Sequence, residues 1–248
     1  MAYKIDLTDQ VAVVTGAKGG IGAAVATILA EAGADIAICG SSPKEKAEEV
    51  LSGIRRLGAN AEYWQVDLSQ EGNGRKFVQD VIRHFGKVDI VVNNAALASH
   101  DWHQSQIINV ASPCEIMEES AKDMAKRSYG RIVNISSSCI FSGGTTSAPY
   151  NATKAALDSA SRFMAKKYAG KGILINVIAP GPVLTEMAQM RYSKEEFSEH
   201  YIPQMPIGRC LLPEDIAGSV LFMASALCSA VCGETLLCDG GRVKLGVK

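Results

Sequence analysis

The stretch Val11-Ala-Val-Val-Thr-Gly-Ala-Lys-Gly-Gly-Ile-Gly22 decides the fold of this chain, because it joins an apolar run to an alanine-rich helical pattern through a glycine-rich turn. Glycines let the backbone turn tightly and approach a pyrophosphate. A helix that begins near Gly20 then presents free N–H groups and the positive end of its dipole. A lone glycine-rich turn is weak evidence, but its position between a buried strand and a helix strengthens it. We therefore predict a dinucleotide-binding unit here.

Short β-rich runs alternate with helical patterns along the whole chain. The predicted strands are Val11–Thr15, Asp35–Cys39, Ala61–Gln65, Val88–Val92, Arg131–Ile135, Leu174–Ile178 and Thr235–Cys238. Several are continuous apolar runs, typical of strands covered on both faces. The glycines that suit the position just after a helix are Gly33, Gly58, Gly86 and Gly170. This order predicts an α/β fold, with residues 1–248 forming one Rossmann-like domain whose doubly wound parallel seven-stranded sheet is flanked by helices.

Composition excludes several classes of protein. The 25 basic and 26 acidic residues give a net charge of −1, so we expect no nucleic-acid partner. Apolar runs fall short of the roughly 20 residues that span a bilayer. The start of the chain lacks the apolar segment of a signal peptide, so we expect no membrane partner and a cytoplasmic location. The seven cysteines form no CxxC pair, which favours reduced thiols. Cys228 and Cys232 have no histidine nearby, so we predict no metal site.

One segment interrupts the alternation of strands and helices. Between Pro180 and Pro213 the chain carries further helix breakers around a polar, amphipathic piece at Ser193–Tyr201. An insertion after the sixth strand lies at the carboxyl edge of a parallel sheet, where ligands bind. We interpret residues 182–212 as a substrate lid. The alternative is a surface excursion with no role.

Tyr150 and Lys154 stand four residues apart in a helical pattern and therefore share one face. A phenol titrates near pH ~10, so a phenolate at pH 7 needs about 4 kcal/mol of stabilisation at about 1.36 kcal/mol per unit. A cation about 4 Å away at an effective dielectric constant of about 20 supplies that much. The pair is therefore a candidate proton-transfer device. The alternative is a surface pair worth a few tenths of a kcal/mol.

Several motifs together are similar to those of one known family. Thr15–Gly22 has the TGxxxGxG spacing, Asn93-Asn-Ala-Ala96 follows the fourth strand, and Tyr150-x-x-x-Lys154 is preceded thirteen residues earlier by Ser137. Further matches are Asn109, Pro180-Gly181, Thr185 and Asp239-Gly-Gly241. On these motifs the chain resembles the short-chain dehydrogenase/reductase family over essentially its whole length.

The resemblance implies a role for each catalytic residue. Tyr150 is expected to be the acid/base that exchanges a proton with the substrate oxygen. Ser137 is expected to hydrogen-bond the same oxygen, and Lys154 to lower the pKa of Tyr150 and hold the nicotinamide ribose. Asn109 is expected to anchor a water that connects Lys154 to solvent. Plainer alternatives are that Asn109 is an ordinary polar helix residue and that Ser136 or Ser138 only satisfies the end of the strand.

The resemblance also implies a set of cofactor-binding residues. These are Gly16, Lys18, Gly20, Ile21, Gly22, Ser41, Ser42, Asp67, Leu68, Asn93, Ala95, Tyr150, Lys154, Pro180, Gly181, Val183 and Thr185. NAD-dependent relatives carry a carboxylate after the second strand that repels a 2′-phosphate. Here Gly40 stands at that position, followed by two serines, and Lys18 is expected close by. We therefore favour NADP(H), although the arginine of many NADP-using relatives is absent and NAD(H) stays possible.

The chain departs from the family pattern beside the expected pocket. Ala96 replaces a glycine, and only five residues, Leu97–Asp101, separate it from Trp102, fewer than the family usually has. This shortened wall predicts a more open pocket whose specificity depends on the lid. The lid carries an apolar and adaptable set of side chains: Met187, Met190, Tyr192, Phe197, Tyr201 and Met205. These side chains could equally pack against the core.

The resemblance implies an NAD(P)(H)-dependent oxidoreductase that transfers a hydride between nicotinamide and a ketone or secondary alcohol. The candidate substrates are a 3-oxoacyl thioester, a sugar-derived ketone or a small cyclic ketone. The alternative is a catalytically silent dinucleotide-binding sensor or scaffold. Small residues on several faces of the helical stretches 105–127 and 150–169 indicate burial beyond the monomer, and the resemblance implies a homotetramer.

Overall fold

In this computed structural model, residues 5–144, 146–189 and 192–246 are described. Seven strands form one sheet: β1 (Val11–Thr15), β2 (Asp35–Gly40), β3 (Ala61–Gln65), β4 (Ile90–Asn93), β5 (Gly130–Ile135), β6 (Ile173–Pro180) and β7 (Thr235–Cys238). Their order is β3-β2-β1-β4-β5-β6-β7, and every neighbouring pair is parallel. The predicted fold class is confirmed.

The helices connect these strands. They are α1 (Gly20–Glu31), α2 (Glu48–Arg56), α3 (Asn73–Phe85), α4 (Trp102–Gln106), α5 (Ser112–Met124), α6 (Cys139–Ser142), α7 (Ala148–Tyr168), α8 (Glu186–Gln189), α9 (Lys194–Tyr201), α10 (Pro213–Ala224) and α11 (Arg242–Leu245). A π-helical turn, Ile107–Ala111, joins α4 to α5 without a break. Short 3₁₀ turns occupy Lys44–Lys46, Ala125–Arg127, Ala169–Lys171 and Ile202–Gln204. None of the helices described is both long enough and apolar enough to cross a bilayer.

Helices cover both faces of the sheet. One core cluster contains side chains of α1, α2 and α10, and the other contains side chains of α3, α5 and α7. Along β1, Ala12 and Val14 belong to the first cluster, whereas Val11 and Val13 belong to the second. Successive strand residues point to opposite faces, so a strand buried on both sides needs an unbroken apolar run. This packing explains the continuous apolar runs of the sequence.

One predicted helix end is wrong. Gly33, Gly58 and Gly86 follow their helices with positive φ, as predicted. After α7, however, Ala169–Lys171 forms a further 3₁₀ turn, and Gly172, not Gly170, has the positive φ of 76°. A Cβ at Gly172 would collide with the Ser128 carbonyl oxygen. The glycine is therefore required where the chain passes Ser128, a contact distant in sequence.

The strand order positions the site. Chain connections leave β1 toward β2 on one side and return to β4 on the other, so a crevice opens at the carboxyl ends of β1 and β4. The segment between β6 and α10 lies at the same edge, where Val183 forms a parallel bridge with Leu211. Its predicted polar helix is α9, capped by Ser193.

The apolar side chains of this segment pack inward where they are described. Phe197 and Met205 are 2 % and 3 % exposed, and Met205 belongs to the core cluster of α1 and α10. Tyr192 and Tyr201 contact the ring of Phe197. Met190 lies outside the described residues. Phe197 and Met205 are thus packing residues and do not line an open pocket. This was the alternative stated for the apolar side chains of the lid.

Candidate active site

The glycines of the first turn are required by close contacts. Gly16 and Gly20 have φ values of 67° and 55°. A Cβ at Gly16 would lie 2.9 Å from the Cα of Ala95. A Cβ at Gly22 would collide with the Asn94 amide group and the Gly16 carbonyl oxygen. The turn is therefore pressed against the end of β4, and no larger residue fits at Gly16 or Gly22 without moving it.

Two side chains hold this turn in place. The Thr15 hydroxyl oxygen accepts hydrogen bonds from the backbone N–H groups of Asn94 and Ala95, each at 3.0 Å. The Asn94 amide nitrogen donates to the carbonyl oxygens of Thr15 (2.9 Å) and Gly16 (3.2 Å). Sequence reasoning missed both residues as site residues. The signal available was their place in the motifs, at the ends of β1 and β4.

Asn93, one of the predicted cofactor-binding residues, turns its side chain away from the crevice. Its side chain is 2 % exposed and donates to Asn134 Oδ1 at 2.8 Å. Adjacent residues of a strand point to opposite faces, so only one of Asn93 and Asn94 can reach the crevice. Asn94 occupies that position, and Asn93 is a buried link between β4 and β5.

The start of α1 fits a pyrophosphate. Its N-cap, Gly19, has no side-chain capping bond, and the first turn carries no acidic residue, so the N–H groups are free for an anion. Across the crevice, the Thr185 methyl lies 3.4 Å from where a Cβ at Gly20 would stand. The Glu186 carboxylate oxygens lie 3.1 Å from the corresponding point at Gly19. The segment after Pro180-Gly181 therefore reaches the glycine turn, and Thr185 remains a predicted cofactor-binding residue.

The loop after β2 collects the groups predicted to contact a 2′-phosphate. Lys18 Nζ donates to Ser42 Oγ at 3.2 Å, which brings the glycine turn and the serine pair together. The Tyr63 hydroxyl bonds the Gly40 carbonyl at 2.9 Å and also contacts Ser42 O. A Cβ at Gly40 would lie 3.2 Å from that hydroxyl. Tyr63 thus occupies the space beside the position where NAD-dependent relatives carry an acid.

The loop after β3 lies at the same edge. Asp67 is exposed, and its Oδ1 accepts from the Ser69 N–H at 2.9 Å. Hydrogen bonding to Ser69 holds the pKa of this carboxyl below its usual value, so it is an ionised acceptor at neutral pH. Leu68 is 8 % exposed and packs in the core cluster of α3 and α5. The structure therefore presents the Asp67 carboxylate at the surface and turns Leu68 inward.

Tyr150 and Lys154, the predicted proton-transfer pair, lie on α7 beside the end of β5. Lys154 is 2 % exposed, and its Nζ donates to the Ile135 carbonyl oxygen at 2.7 Å. The same Nζ lies 5.7 Å from the centre of the Tyr150 ring. This burial rules out a surface pair. Because an ammonium is costly to bury, its position at the crevice marks a functional group.

The pKa values of the pair depart from the sequence expectation. Burial raises the pKa of Tyr150 to about 12, while a hydrogen bond with Ser137 acts in the opposite direction. Burial lowers the pKa of Lys154 to about 8. The expected phenolate is absent because desolvation opposes both charged forms and because the ammonium is directed at Ile135. In the protein alone, Tyr150 is a protonated donor.

Ser137 is the serine of the three that reaches Tyr150. Ser136 Oγ donates instead to the Lys154 carbonyl oxygen at 3.1 Å, and Ser138 supplies a backbone bond to Pro180. Ser137 Oγ accepts from the Cys139 N–H at 3.3 Å, which orients it at the start of α6. Ser136 and Ser138 therefore satisfy backbone groups near the end of the strand, which was the alternative given for them. Ser137 remains the candidate site residue.

Asn109 sits in the π-helical turn between α4 and α5, and its side chain is 1 % exposed. The amide oxygen accepts from the Leu97 N–H at 2.7 Å, and the amide nitrogen donates to Leu97 O and to Thr153 Oγ1. The Thr153 hydroxyl in turn donates to the Tyr150 carbonyl oxygen at 3.0 Å. Asn109 thus joins the shortened wall to the catalytic helix. π-turns inside helices occur frequently at functional sites.

The shortened wall, Leu97–Asp101, is also tied to α7 at a second point. The Ser147 hydroxyl donates to the Ser99 carbonyl oxygen at 2.6 Å and accepts from the Tyr150 N–H at 3.2 Å. Ser147 is therefore both the N-cap of the catalytic helix and the tether of the wall. The sequence analysis missed it, although a serine three residues before Tyr150 is a capping signal.

Comparisons with known proteins agree with this geometry. A family model described as enoyl-(acyl carrier protein) reductase matches residues 16–242. The chain is 36 % identical to the 2-dehydro-3-deoxy-D-gluconate 5-dehydrogenase of Pseudoalteromonas atlantica over 97 % of this chain and 98 % of that protein. It is 34 % identical to the 3-oxoacyl-[acyl-carrier-protein] reductase of Aquifex aeolicus over 96 % and 99 %.

A solved structure shows the same architecture. The 3-oxoacyl (acyl-carrier-protein) reductase of Agrobacterium tumefaciens, with NADP bound, is 30 % identical and has a TM-score of 0.88, with 95 % of each chain covered. The glycine turn, the half-buried Tyr150 on the same helix as the buried Lys154, and these full-length matches lead to one conclusion: the chain belongs to the short-chain dehydrogenase/reductase family of oxidoreductases.

Proposed function

We propose that this protein is an NADP-preferring oxidoreductase that interconverts a ketone and a secondary alcohol. The observation that carries the proposal is the meeting of Ser137, Tyr150 and a buried Lys154 beside a glycine turn that fits a pyrophosphate. The substrates considered are a 3-oxoacyl thioester, a sugar-derived ketone and a small cyclic ketone. The relatives named above act on molecules of the first two kinds, according to their names.

Tyr150 supplies the proton in this proposal. With a pKa raised to about 12, its hydroxyl is protonated at neutral pH and can donate to a carbonyl oxygen as that oxygen gains charge. Ser137 donates a second hydrogen bond to the same oxygen and holds it beside the phenol. In the opposite direction, Tyr150 first releases its proton toward solvent, and the phenolate, stabilised by Lys154, accepts the proton of the alcohol. The hydride is supplied or accepted by the nicotinamide of the bound cofactor.

Lys154 and Asn109 support this proton transfer. The Lys154 ammonium stabilises the phenolate that Tyr150 becomes once it has lost its proton, and in this proposal it also holds the nicotinamide ribose. Asn109 fixes the backbone of the catalytic helix through Thr153 and of the wall through Leu97. In this proposal, the proton that replaces the one lost by Tyr150 enters past Asn109 from solvent.

The remaining cofactor contacts follow the crevice. Gly16, Gly20, Ile21 and Gly22 cradle the pyrophosphate, and Asp67 and Ala95 lie toward the adenosine. Lys18, Ser41 and Ser42 receive the 2′-phosphate of NADP, supported by the Lys18–Ser42 contact and by the lack of an acid at Gly40. The A. tumefaciens relative contains NADP, which supports the same preference. NAD(H) is the weaker cofactor in this proposal.

Residues 182–212 act as the lid. Val183 anchors the segment by its bridge to Leu211, and Thr185 and Glu186 already approach the glycine turn. We also propose a homotetramer, because α7 leaves Phe163 69 % exposed on the helix that carries the catalytic pair. The seven free cysteines favour a cytoplasmic location.

The test of the proposal is Tyr150→Phe, with Tyr168→Phe on the same helix as the matched control. NADPH oxidation is followed with neutral ketones such as ethyl acetoacetate, and NADPH binding is followed by fluorescence. We expect Tyr150→Phe to bind NADPH normally and to lose about 10³-fold or more in turnover, since it removes the proton donor. Tyr168→Phe keeps its turnover. A Tyr150→Phe variant within tenfold of wild type would falsify the acid/base role.

A silent dinucleotide-binding module gives another outcome. A wild-type protein that binds NADPH tightly but reduces no ketone of a broad panel would contradict the enzymatic proposal. The retained Ser137, Tyr150, Lys154 and Asn109 favour the enzyme.

A further inference from the structure

A cleft of about 340 Å³ lies at α6, the short helix that follows Ser137 in the chain, and contains one cation that forms no ion pair with a described acidic residue. It is lined by Phe141 and Ser142 of α6, Gln204 of the lid, and Arg242 and Val243 of α11. Because α6 begins two residues after Ser137, the Phe141 wall lies within reach of a substrate whose carbonyl oxygen is held by Ser137. Small-molecule sites typically begin at about 300 Å³, so the cleft can hold one end of a small substrate.

Arg242 is held in place yet has hydrogen-bond donors to spare. Its Nε and one Nη donate to the same oxygen, Gln204 Oε1, at 3.1 and 2.7 Å. The Gln204 amide is itself oriented, because its nitrogen donates to the His200 carbonyl oxygen at 2.8 Å. A guanidinium has five N–H donors, so at least half of the fork is uncommitted to the protein in the part of the chain described.

Asp239, three residues before Arg242, does not form an ion pair with it. Asp239 Oδ1 accepts from the Gly241 N–H at 2.9 Å, and its Oδ2 accepts from the Val243 N–H at 2.7 Å. The ion pairs formed by the described residues do not include Arg242. Arg242 is also only partly exposed, so its charge is screened less than that of a solvated surface arginine.

A positioned, half-buried guanidinium with free donors recognises a planar anion through two parallel hydrogen bonds. We propose that Arg242 binds a carboxylate of the substrate, at the end remote from the carbon that exchanges the hydride. The preferred substrate is then a hydroxy or oxo acid of sugar length, and neutral ketones are poorer substrates. One cation between the apolar walls of Phe141 and Val243 matches a single monoanion. This inference rests on the proposed oxidoreductase function and specifies its substrate class.

Residues of the lid segment contact the C-terminal segment beside this cleft. A Cβ at Gly240 would lie 3.0 Å from Ile207, and Ile207 N–H donates to the Gly240 carbonyl oxygen at 3.3 Å. Gln204 and Arg242 continue this contact into the cleft. A carboxylate that engages Arg242 therefore binds next to a contact between residues 204–207 and the C-terminal segment.

The experiment compares D-gluconate with D-sorbitol, which differ at C1 by a carboxylate in place of a hydroxymethyl group. Binding of each to the NADPH complex, in which neither alcohol can be oxidised, is measured by calorimetry for wild type, Arg242→Gln, Arg242→Lys and Lys244→Gln. Lys244 is the matched control, because it is an exposed cation on the same short helix. Charge-assisted hydrogen bonds predict about 10- to 100-fold weaker gluconate binding for Arg242→Gln, with sorbitol unchanged.

Arg242→Lys is expected to recover only part of the affinity, because it keeps the charge and loses the fork. The assignment is overturned if wild type binds gluconate no better than sorbitol, or if Arg242→Gln weakens both equally. It is also overturned if Lys244→Gln has the same effect as Arg242→Gln. The readout is binding without turnover, so failure here leaves the Tyr150→Phe test on neutral ketones unaffected, and the two proposals fail separately.

Discussion

The catalytic cluster and the loop after β2 differ in how firmly their polar groups are held. Lys154 and Asn109 are 2 % and 1 % exposed, and each bonds backbone atoms of another element. By contrast, Ser41 of the loop after β2 and Lys18 of the glycine turn are exposed. A side-chain hydrogen bond from Lys18 to Ser42 joins the turn to the loop. The first region lies inside the fold and the second on its surface.

This difference shows which polar groups are coupled to the stability of the fold. Buried polar groups are stable only when fully paired, so the geometry that performs the reaction is bound to the packing of α7 and β5. Exposed groups have water as an alternative partner and contribute little to folding. The reaction type should therefore be hard to alter without affecting stability, whereas the cofactor preference should change at little cost.

The largest effect is expected from Lys154→Met, which removes the buried cation and keeps a side chain of similar length. Turnover should fall by about 10³-fold, because the phenolate of Tyr150 loses its counter-charge. Stability should rise. A depression of the Lys154 pKa from 10.5 to about 8 corresponds, at about 1.36 kcal/mol per unit, to roughly 3 kcal/mol against the charged form.

The destabilising effect of the buried Lys154 ammonium depends on pH. Between pH 8 and pH 10.5 the unfolded chain keeps its proton on Lys154 while the native protein loses it, so wild-type stability rises with pH in that window. Chemical denaturation should give Lys154→Met a larger free energy of unfolding than wild type at pH 7. The difference between the two should shrink toward pH 10.5. Lys166→Met, at an exposed position on the same helix, serves as control. A destabilised Lys154→Met would show that the bond to Ile135 outweighs the cost of burial.

A smaller effect, confined to the cofactor, is expected from Ser41→Asp. A carboxylate in the loop should repel the 2′-phosphate and accept from a ribose hydroxyl, so the ratio of kcat/KM for NADPH over NADH should fall by about 10-fold or more. The unfolding midpoint should stay within error, because the site is exposed. Ser52→Asp on α2 controls for an added charge. An unchanged NADPH preference would place the 2′-phosphate site elsewhere.

The smallest effect is expected from Ser147→Ala, which tests whether the tether of the wall matters apart from capping. Loss of a helix cap costs about 1 kcal/mol, and Ser193→Ala on the lid helix should lose the same. Only Ser147→Ala should also lower kcat, by about 3- to 10-fold, since it shifts Tyr150 relative to the wall. Equal kcat values for the two variants would make Ser147 a cap alone.

Local patterns predicted much of the site. Tyr150 and Lys154 share a face by helical spacing, and the seven strands were found from apolar runs, with ends that differ by up to two residues. The glycine turn was predicted from its flanking strand and helix. Asn93 was assigned to the crevice in place of Asn94, because the alternation of a short, fully apolar strand does not show which face is which.

Other features depend on contacts between residues that are far apart in the sequence. The direction of the Tyr150 pKa follows from burial against β5 and α6, and the helical spacing of Tyr150 and Lys154 carries no information about burial. The need for a glycine at position 172 comes from Ser128, 44 residues away in the sequence. The buried partners of Asn109 lie 12 and 44 residues from it.

By itself, the sequence determined the α/β class and the glycine turn, and it predicted Tyr150 and Lys154 as the proton-transfer pair, because each depends on residues within one turn or one strand. The tertiary structure alone decided the protonation state of Tyr150, the choice of Asn94 over Asn93 and the cleft at Arg242. Those properties depend on desolvation and on contacts between elements as distant as α6 and α11. Burial and long-range contacts arise only when the chain folds back on itself, so no local pattern encodes them.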